Sequence, residues 1–215
     1  MDQMDNYFIL KICANIMFAY LTGSIPFGVI ITKIFANKDI RKKESRNIGA
    51  TNVLRVAGII PACLTLTGDM LKGAVPVLTA CSYAGLNNLP GKIAITIAGL
   101  SAFSGHLYPI YTKFRCGGKG VATAAGCVYI ISPEAGITSM LIFIILIFFC
   151  NRVSAASLGA AAALPVLLWI FEHSLILSGY GFITGALIFY RHTDNIKRLL
   201  AGTEPTLKNK IEQKK

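Results

Sequence analysis

Long uninterrupted apolar runs constrain this chain more than any other feature. Residues 137–149 and 154–171 contain no charged side chain. A helix that crosses a bilayer needs about 20 predominantly apolar residues, and several further runs of this kind occur along the chain. Of the 215 residues, 54% are hydrophobic and only 14% are charged, against about 25% charged residues in soluble domains. The sequence therefore predicts an all-α, polytopic integral membrane protein.

Seven membrane helices are predicted, with an N-terminus outside and a C-terminus inside. Their approximate boundaries are 5–32, 70–87, 92–111, 119–131, 135–150, 154–171 and 174–190. The span at 119–131 is short enough to be a half-helix. Residues 50–66 could begin a longer second span, but this would bury Asp69 and Lys72 at mid-membrane, which is unfavourable. We favour an interfacial or re-entrant helix there, and we expect Asp69 and Lys72 at the inner surface.

The positive charges are concentrated in a few connections between the apolar runs. Residues 33–55, 113–119 and 191–215 hold 17 of the 21 Lys and Arg residues. This is the asymmetry of cytoplasmic loops in membrane proteins, and it sets the predicted orientation. Nucleic-acid binding is excluded as the reason for the net charge of +11, because no soluble basic face with aromatic residues is present. We expect one membrane domain over 1–215, with a solvated cytoplasmic tail from about residue 203.

Nucleophile and metal motifs are missing from the sequence. The six cysteines are scattered without a Cys-x-x-Cys pair, so neither a zinc site nor a disulfide framework is indicated. The acyltransferase signature His-x4-Asp is also absent, since Tyr111, Ser178 and Lys197 stand five residues after the three histidines. His106 is therefore at least as well explained by a structural role.

A glycine-rich loop with a lysine precedes the fourth apolar segment, as Gly117-Gly118-Lys119-Gly120. Glycines let backbone N–H groups approach an anion closely, and a helix N-terminus favours negative charge. Lys119 adds a full positive charge. The spacing differs from that of a nucleotide-binding P-loop, and a flexible inside turn with a topology-setting lysine is the alternative.

A second polar stretch makes an independent case for phosphate binding. Its hydroxyl, amide and guanidinium side chains are Ser45, Asn47, Thr51, Asn52 and Arg55. Hydroxyls and amides can bond phosphate or glycerol oxygens, and an arginine can hold phosphate through two parallel hydrogen bonds. A helix-capping loop with a snorkelling arginine is the alternative. Two such loops on one membrane face together favour a phosphorylated substrate.

Three further motifs carry weaker signals. Gly23-Ser24-Ile25-Pro26 interrupts the first apolar run and predicts a kink or a close helix contact. His192, Asn195 and Arg198 share one face of a continuing helix because they are spaced by three residues. Ser154 and Ser157 stand at the start of the sixth span, where small serines are usually packing residues.

These motifs, in this order and spacing, resemble those of the bacterial acyl-phosphate:glycerol-3-phosphate acyltransferases. The resemblance runs almost end to end and rests on Gly23 to Pro26, Asp39-Ile40-Arg41, Asn47 to Asn52 with Arg55, Asp69 with Lys72-Gly73, Gly105-His106 with Pro109, Gly117 to Thr123, His192-x-x-Asn195-Ile196-x-Arg198-Leu199, and Gly202-Thr203-Glu204. The chain departs from the family pattern in one short segment. The family has Gly-Ser-Gly-Asn where this chain has Glu44-Ser45-Arg46-Asn47, so a backbone position that requires a positive φ would be strained here.

The resemblance implies a reaction and its partners. An acyl phosphate, made from fatty acyl carrier protein by a partner enzyme, would give its acyl group to the 1-hydroxyl of sn-glycerol 3-phosphate. The products would be lysophosphatidate and inorganic phosphate, with no metal, cofactor or acyl-CoA. Membrane lipids would surround the enzyme in the bacterial cytoplasmic (inner) membrane, as in phospholipid synthesis.

We hypothesise two groups of site residues for this reaction. Phosphate groups would be held by catalytic side chains and loop amides, namely those of Ser45, Arg55 and Lys119 with Gly117, Gly118 and Gly120. Glycerol phosphate or acyl phosphate would be oriented by Asn47, Thr51, Asn52, Ser157, His192 and Asn195. The acyl phosphate is an activated anhydride, so the enzyme can act by positioning it and stabilising charge, without a covalent intermediate. A substrate phosphate, rather than a side chain, could serve as the base.

An organic-phosphate transporter is the main rival, since it would also have several spans and basic loops. Transporters usually bind substrate at mid-membrane between inverted repeats, whereas here the polar motifs cluster at one face and no repeat is evident. A non-catalytic scaffold would leave the glycine loops unexplained.

Overall fold

A computed structural model describes the backbone of residues 2–206 and the side chains of residues 6–206, and every regular element in that part of the chain is helical. The helices are α1 (Asp2–Gly23), α2 (Phe27–Ala36), α3 (Ala50–Ala57), α4 (Ile59–Ala84), α5 (Leu89–Leu107), α6 (Val121–Ile131), α7 (Pro133–Cys150), α8 (Val153–Glu172), α9 (Leu175–Arg191) and α10 (Thr193–Leu200). Short 3₁₀ turns occupy Ile40–Lys42 and Ile110–Thr112. The prediction of an all-α fold is confirmed.

The first predicted span is divided into two helices. α1 ends at Gly23 and α2 begins at Phe27, because Pro26 has no N–H to donate and its ring disrupts the preceding turn. The break exposes the backbone carbonyl of Ile25, which accepts a hydrogen bond from Lys72 Nζ at 3.0 Å. The predicted kink at Gly23 to Pro26 is therefore confirmed, and it creates an acceptor inside the fold.

Asp69 and Lys72, which the sequence places at the inner membrane surface, are buried among the helices of the fold. Gly58, with φ +96°, separates the short α3 from α4, and α4 then runs unbroken through both charged residues. Both side chains are buried, and their Nζ and Oδ1 atoms lie 2.8 Å apart. An isolated charge would be very unfavourable there, but a close pair with a further backbone hydrogen bond offsets much of the desolvation.

The later boundaries fall close to the predicted ones. Pro133 starts α7, Asn151 and Arg152 separate α7 from α8, and α9 begins two residues after His173. The short segment before Pro133 is an eleven-residue helix, α6, as the half-helix interpretation anticipated. Four helical stretches among the described residues are long and apolar enough to span a membrane: Asn6–Ala36, Leu89–Thr112, Pro133–Cys150 and Val153–Glu172.

The chain forms two compact units, one ending at Ile131 and the other beginning at Ser132. In the first unit, α4 packs against α1, α5 and α6, while the short helices α2 and α3 also lie on α4. In the second unit, α8 packs between α7 and α9, and α10 contacts α8 and α9. Each unit carries its own cluster of polar side chains.

The expected solvated tail needs a correction at its start. Glu204 is only 6% exposed, because its carboxylate accepts hydrogen bonds from side chains of α8 and α10. The chain therefore remains part of the fold at least to that residue, and positions 207–215 of the predicted tail lie outside the described residues.

Candidate active site

The loop of residues 117–120 lies against the last turn of α5 in the first unit. A Cβ at Gly117 would overlap the Leu107 carbonyl, one at Gly118 the His106 ring, and one at Gly120 the Phe103 ring. Gly120 also has φ +83°, a conformation that side chains rarely adopt. The loop is therefore a buried, tightly packed segment rather than a flexible turn.

The backbone of this loop is partly engaged with α5. The N–H of Gly118 donates to the His106 carbonyl at 3.1 Å. Lys119 is half-buried and stands two residues before α6 begins at Val121. A helix N-terminus and a lysine together provide the positive potential that an anion requires.

Behind the glycine loop lies a buried group of three charged or titratable side chains, the Asp69–Lys72–His106 cluster. The Nδ1 atom of His106 is 3.7 Å from Oδ1 of Asp69, and the same oxygen contacts Lys72 Nζ at 2.8 Å. All three side chains are at most 3% exposed. The ring of His106 thus lies between the Asp69 carboxylate and Gly118.

The second predicted loop is shaped by its asparagines. Asn52 is 2% exposed, and its Nδ2 donates to the carbonyls of Asn47 at 2.8 Å and Lys43 at 3.3 Å. Asn47 accepts from the Gly49 N–H at 2.9 Å, which forms a side-chain turn. Asn52 therefore holds the loop that carries Ser45, and its amide nitrogen points to protein rather than to a ligand.

The other predicted residues of this stretch remain accessible. Ser45 is exposed, while Asn47, Thr51 and Arg55 are half-buried. Thr51 and Arg55 are four residues apart on α3, so they share one face of this helix. Asn52 thus lies on the buried side of this stretch, and the other four residues lie on its accessible side.

The two residues that replace the family's glycines adopt left-handed backbone conformations. Glu44 has φ +49° and Arg46 has φ +57°, and both side chains are exposed. A non-glycine residue is disfavoured in this region because its Cβ approaches the following carbonyl oxygen. The strain expected from the sequence departure is present at both positions.

Asp39 and Arg41 form an ion pair at the start of the basic stretch that leads to Ser45. Arg41 Nε donates a hydrogen bond to Asp39 Oδ1 at 2.9 Å, and this hydrogen bond raises the pKa of Arg41. Arg41 in turn holds the pKa of Asp39 below its ordinary value through that hydrogen bond.

In the second unit, the Glu204 carboxylate accepts hydrogen bonds from three side chains, and a fourth side chain donates to the Glu204 backbone carbonyl. Oε1 accepts from Ser154 Oγ and from Asn195 Nδ2, each at 2.7 Å, and Oε2 accepts from Arg198 Nε at 2.7 Å. Arg152 Nε donates to the backbone carbonyl of Glu204 at 3.1 Å. Asn195 and Arg198 share one face of α10, while His192, predicted on the same face, precedes this helix. Ser154, predicted as a packing residue, is buried and also donates a hydrogen bond.

These contacts set the ionisation of Glu204. Burial acts to raise its pKa, but the hydrogen bonds from Asn195, Ser154 and Arg198 outweigh that effect, so the pKa of Glu204 lies below its ordinary value. The carboxylate is therefore charged at neutral pH and fixes the rotamer of Asn195.

His192 is held by the helix that precedes it. Its Nδ1 lies 2.8 Å from the Ile188 carbonyl, and since a carbonyl oxygen only accepts, Nδ1 carries the hydrogen. In the neutral ring Nε2 is then the acceptor, which suits a histidine that orients a hydroxyl group. Both His192 and Ser157 are buried, at 3% and 4% exposure.

The buried Asp69–Lys72 pair and the contacts of Glu204 were not predicted from the sequence. The spacing of Asp69 and Lys72, three residues apart within an apolar run, was the available signal for a buried pair on one helix face. The role of Glu204 had no comparable signal, because its partners Ser154 and Asn195 lie 50 and 9 residues away in the sequence.

Comparisons with known proteins show which family and which solved structures this chain resembles. The family described as glycerol-3-phosphate acyltransferase matches residues 13–202. A glycerol-3-phosphate acyltransferase of Syntrophotalea carbinolica is 42% identical over 205 residues, which cover 95% of this chain and 100% of that protein. A second one, of Geotalea daltonii, is 43% identical over 190 residues, covering 88% and 94% respectively.

Two solved structures of PlsY, an integral membrane glycerol 3-phosphate acyltransferase, have a similar fold. The glycerol 3-phosphate form is 37% identical, with a TM-score of 0.85, over 91% of this chain and 94% of that chain. The lysophosphatidic acid form is 36% identical, with a TM-score of 0.83 and the same coverage.

Proposed function

Because this chain belongs to the glycerol-3-phosphate acyltransferase family, we propose that it takes its acyl group from an acyl phosphate and transfers it to the 1-hydroxyl of sn-glycerol 3-phosphate. The products are 1-acylglycerol 3-phosphate and inorganic phosphate. The chain is an integral membrane glycerol-3-phosphate acyltransferase, and we place it as one multi-pass domain of about seven spans in the bacterial cytoplasmic membrane, with an outside N-terminus and the basic segments inside.

The reaction needs no covalent enzyme intermediate. The hydroxyl oxygen attacks the acyl carbonyl carbon, and the bond from that carbon to the phosphate oxygen breaks. The departing phosphate, or the phosphate of the acceptor, takes the hydroxyl proton. Since phosphate is a good leaving group, holding both substrates in line and stabilising their negative charge accounts for most of the catalysis.

One observation carries this proposal: the packed glycine loop with Lys119 directly before α6. A loop that is fixed against α5 supplies preorganised positive potential, which costs little reorganisation during the reaction. Ser45, Arg55 and Lys119 hold phosphate groups in this proposal, together with amides of the Gly117, Gly118 and Gly120 loop. Asn47 and Thr51 orient substrate from the other loop, and Asn52 shapes that loop.

In the second unit we assign substrate orientation to Ser157, His192 and Asn195. His192 presents an accepting Nε2 because its Nδ1–H is committed to Ile188. Asn195 is held by the charged Glu204, so its remaining polar groups have a fixed direction. The acyl phosphate is supplied by a partner enzyme that makes it from fatty acyl carrier protein.

The deciding experiment uses the full-length protein purified in detergent. With acyl phosphate and glycerol 3-phosphate, we expect phosphate release and lysophosphatidate formation at equal rates, with no loss on adding EDTA. Acyl-CoA in place of acyl phosphate should give no product. Turnover with acyl-CoA alone would overturn the donor assignment, and glycerol 3-phosphate flux across vesicles without acylation would favour a transporter.

A further inference from the structure

The Asp69–Lys72–His106 cluster contacts the glycine loop on one side and the chain break before α2 on the other. On one side, the His106 ring packs on Gly118 and the His106 carbonyl accepts the Gly118 N–H. On the other side, Lys72 Nζ donates to the Ile25 carbonyl at the start of α2. Asp69 joins these two sides, because its Oδ1 faces both Lys72 Nζ and His106 Nδ1.

The contact through Ile25 continues to the loop that carries Ser45. Lys72 Nζ lies 6.0 Å from the centre of the Phe27 ring, and α4 approaches that ring so closely that a Cβ at Gly68 would overlap it. One residue further along α2, a Cβ at Gly28 would overlap the Ile48 carbonyl. The start of α2 is thus fixed against α4 on one side and against the loop of residues 43–49 on the other.

We propose that the Asp69–Lys72–His106 cluster is a positioning unit that sets the spacing between the glycine loop and the Ser45 loop. The inference rests on the proposed function, in which both loops hold phosphate groups. Packed interiors transmit displacement because they contain few voids. A shift of His106 moves the glycine loop, and a loss of the Lys72 contact releases α2 and the loop packed on it.

A purely structural ion pair is the alternative, and it makes a different kinetic prediction. A structural pair would change the amount of folded protein and its melting temperature, but not the constants of the folded enzyme. A positioning unit changes KM and kcat, because misplacing a binding group by about 1 Å can lower a rate roughly 100-fold.

The test measures kcat, both KM values and the melting temperature of purified full-length variants. We expect His106→Ala to lower kcat/KM for glycerol 3-phosphate by at least about tenfold, and His106→Asn, which keeps a polar group facing Asp69, to recover part of it. Single removal of Asp69 or Lys72 would leave an unpaired buried charge and risks misfolding. The double variant Asp69→Asn/Lys72→Met avoids this, and the same kinetic loss is expected from it.

Asn15→Leu is the matched control. Asn15 is a buried polar residue of α1 whose side-chain amide donates to the Pro76 carbonyl at 3.2 Å and to the Tyr83 hydroxyl at 3.4 Å, both in α4. We expect it to lower the melting temperature and leave the kinetic constants unchanged. The inference is overturned if folded His106→Ala and the double variant both keep constants within about twofold of the parent protein. A parent protein without acyltransferase turnover would instead contradict the proposed function.

Discussion

Asn195 Nδ2 donates to Oε1 of Glu204 at 2.7 Å, and both residues are buried. The same carboxylate oxygen accepts from Ser154 on α8. Glu204 thus joins α10 to α8 through the residue that we assign to substrate orientation. The segment after α10 therefore holds α8 and α10 together through Glu204.

Replacing Glu204 with Gln should destabilise the second unit. The change removes the charge that Arg198 pairs with, and in either orientation of the new amide its NH₂ group faces a hydrogen-bond donor. Leaving buried donors unsatisfied costs about 1–3 kcal/mol, and we expect the free energy of unfolding to fall by about that amount. Thermal unfolding in detergent measures it, with the exposed Asp194→Asn on α10 as the control. Equal stability of the two variants would contradict the role given to Glu204.

The stabilisation from Glu204 should depend on pH in one direction. Its pKa is lower in the folded protein than its ordinary value of 4.5, so the unfolded chain binds a proton more readily. The contribution is then fully present above the ordinary value and is lost as the pH falls toward the folded pKa. Melting temperatures of the parent and Glu204→Gln should differ at pH 7 and converge in acid. A constant difference across this range would argue against the charged carboxylate.

The sequence predicted the helical fold and the local polar clusters because both depend on short-range patterns. Apolar run length predicts membrane helices, and a spacing of three placed Asn195 and Arg198 on one helix face. Glu204 could not be located in this way, since its burial depends on contacts with α8. The sequence favours the inner surface for Asp69 and Lys72 because the energy of a buried charge depends on its partners. One of those partners, the Ile25 carbonyl, becomes available only through the break before Pro26.

The departure at Glu44 and Arg46 gives a stability prediction. Left-handed φ costs a non-glycine residue roughly 1–2 kcal/mol, while glycine loses about 0.5–1 kcal/mol through its greater freedom in the unfolded chain. Glu44→Gly and Arg46→Gly should each therefore raise the free energy of unfolding by up to about 1 kcal/mol. Lys43→Gly is the control, because Lys43 has φ −118° and should gain nothing. Stabilisation by Lys43→Gly alone would exclude strain as the cause.

Lys119→Ala should weaken catalysis much more than folding. Lys119 is half-buried beside α6, and we assign its charge to a substrate phosphate. Removing one preorganised group that stabilises developing charge typically lowers the rate about 100- to 1,000-fold. We expect a loss of that size in kcat/KM for glycerol 3-phosphate, with a melting temperature close to that of the parent.

Lys113→Ala provides the matched control for this prediction. Lys113 lies in the same basic segment but is exposed, after the 3₁₀ turn at Ile110–Thr112. Removing Lys113 changes the net charge by the same amount as removing Lys119. A general loss of attraction for anions should therefore lower kcat/KM in both variants, and the difference from the parent should become smaller as salt is added. A specific phosphate contact instead predicts a large, salt-insensitive loss only in Lys119→Ala. Full turnover of Lys119→Ala would show that Lys119 does not bind substrate. An equal loss of kcat/KM in Lys119→Ala and Lys113→Ala would show that the two lysines act through long-range attraction of anions.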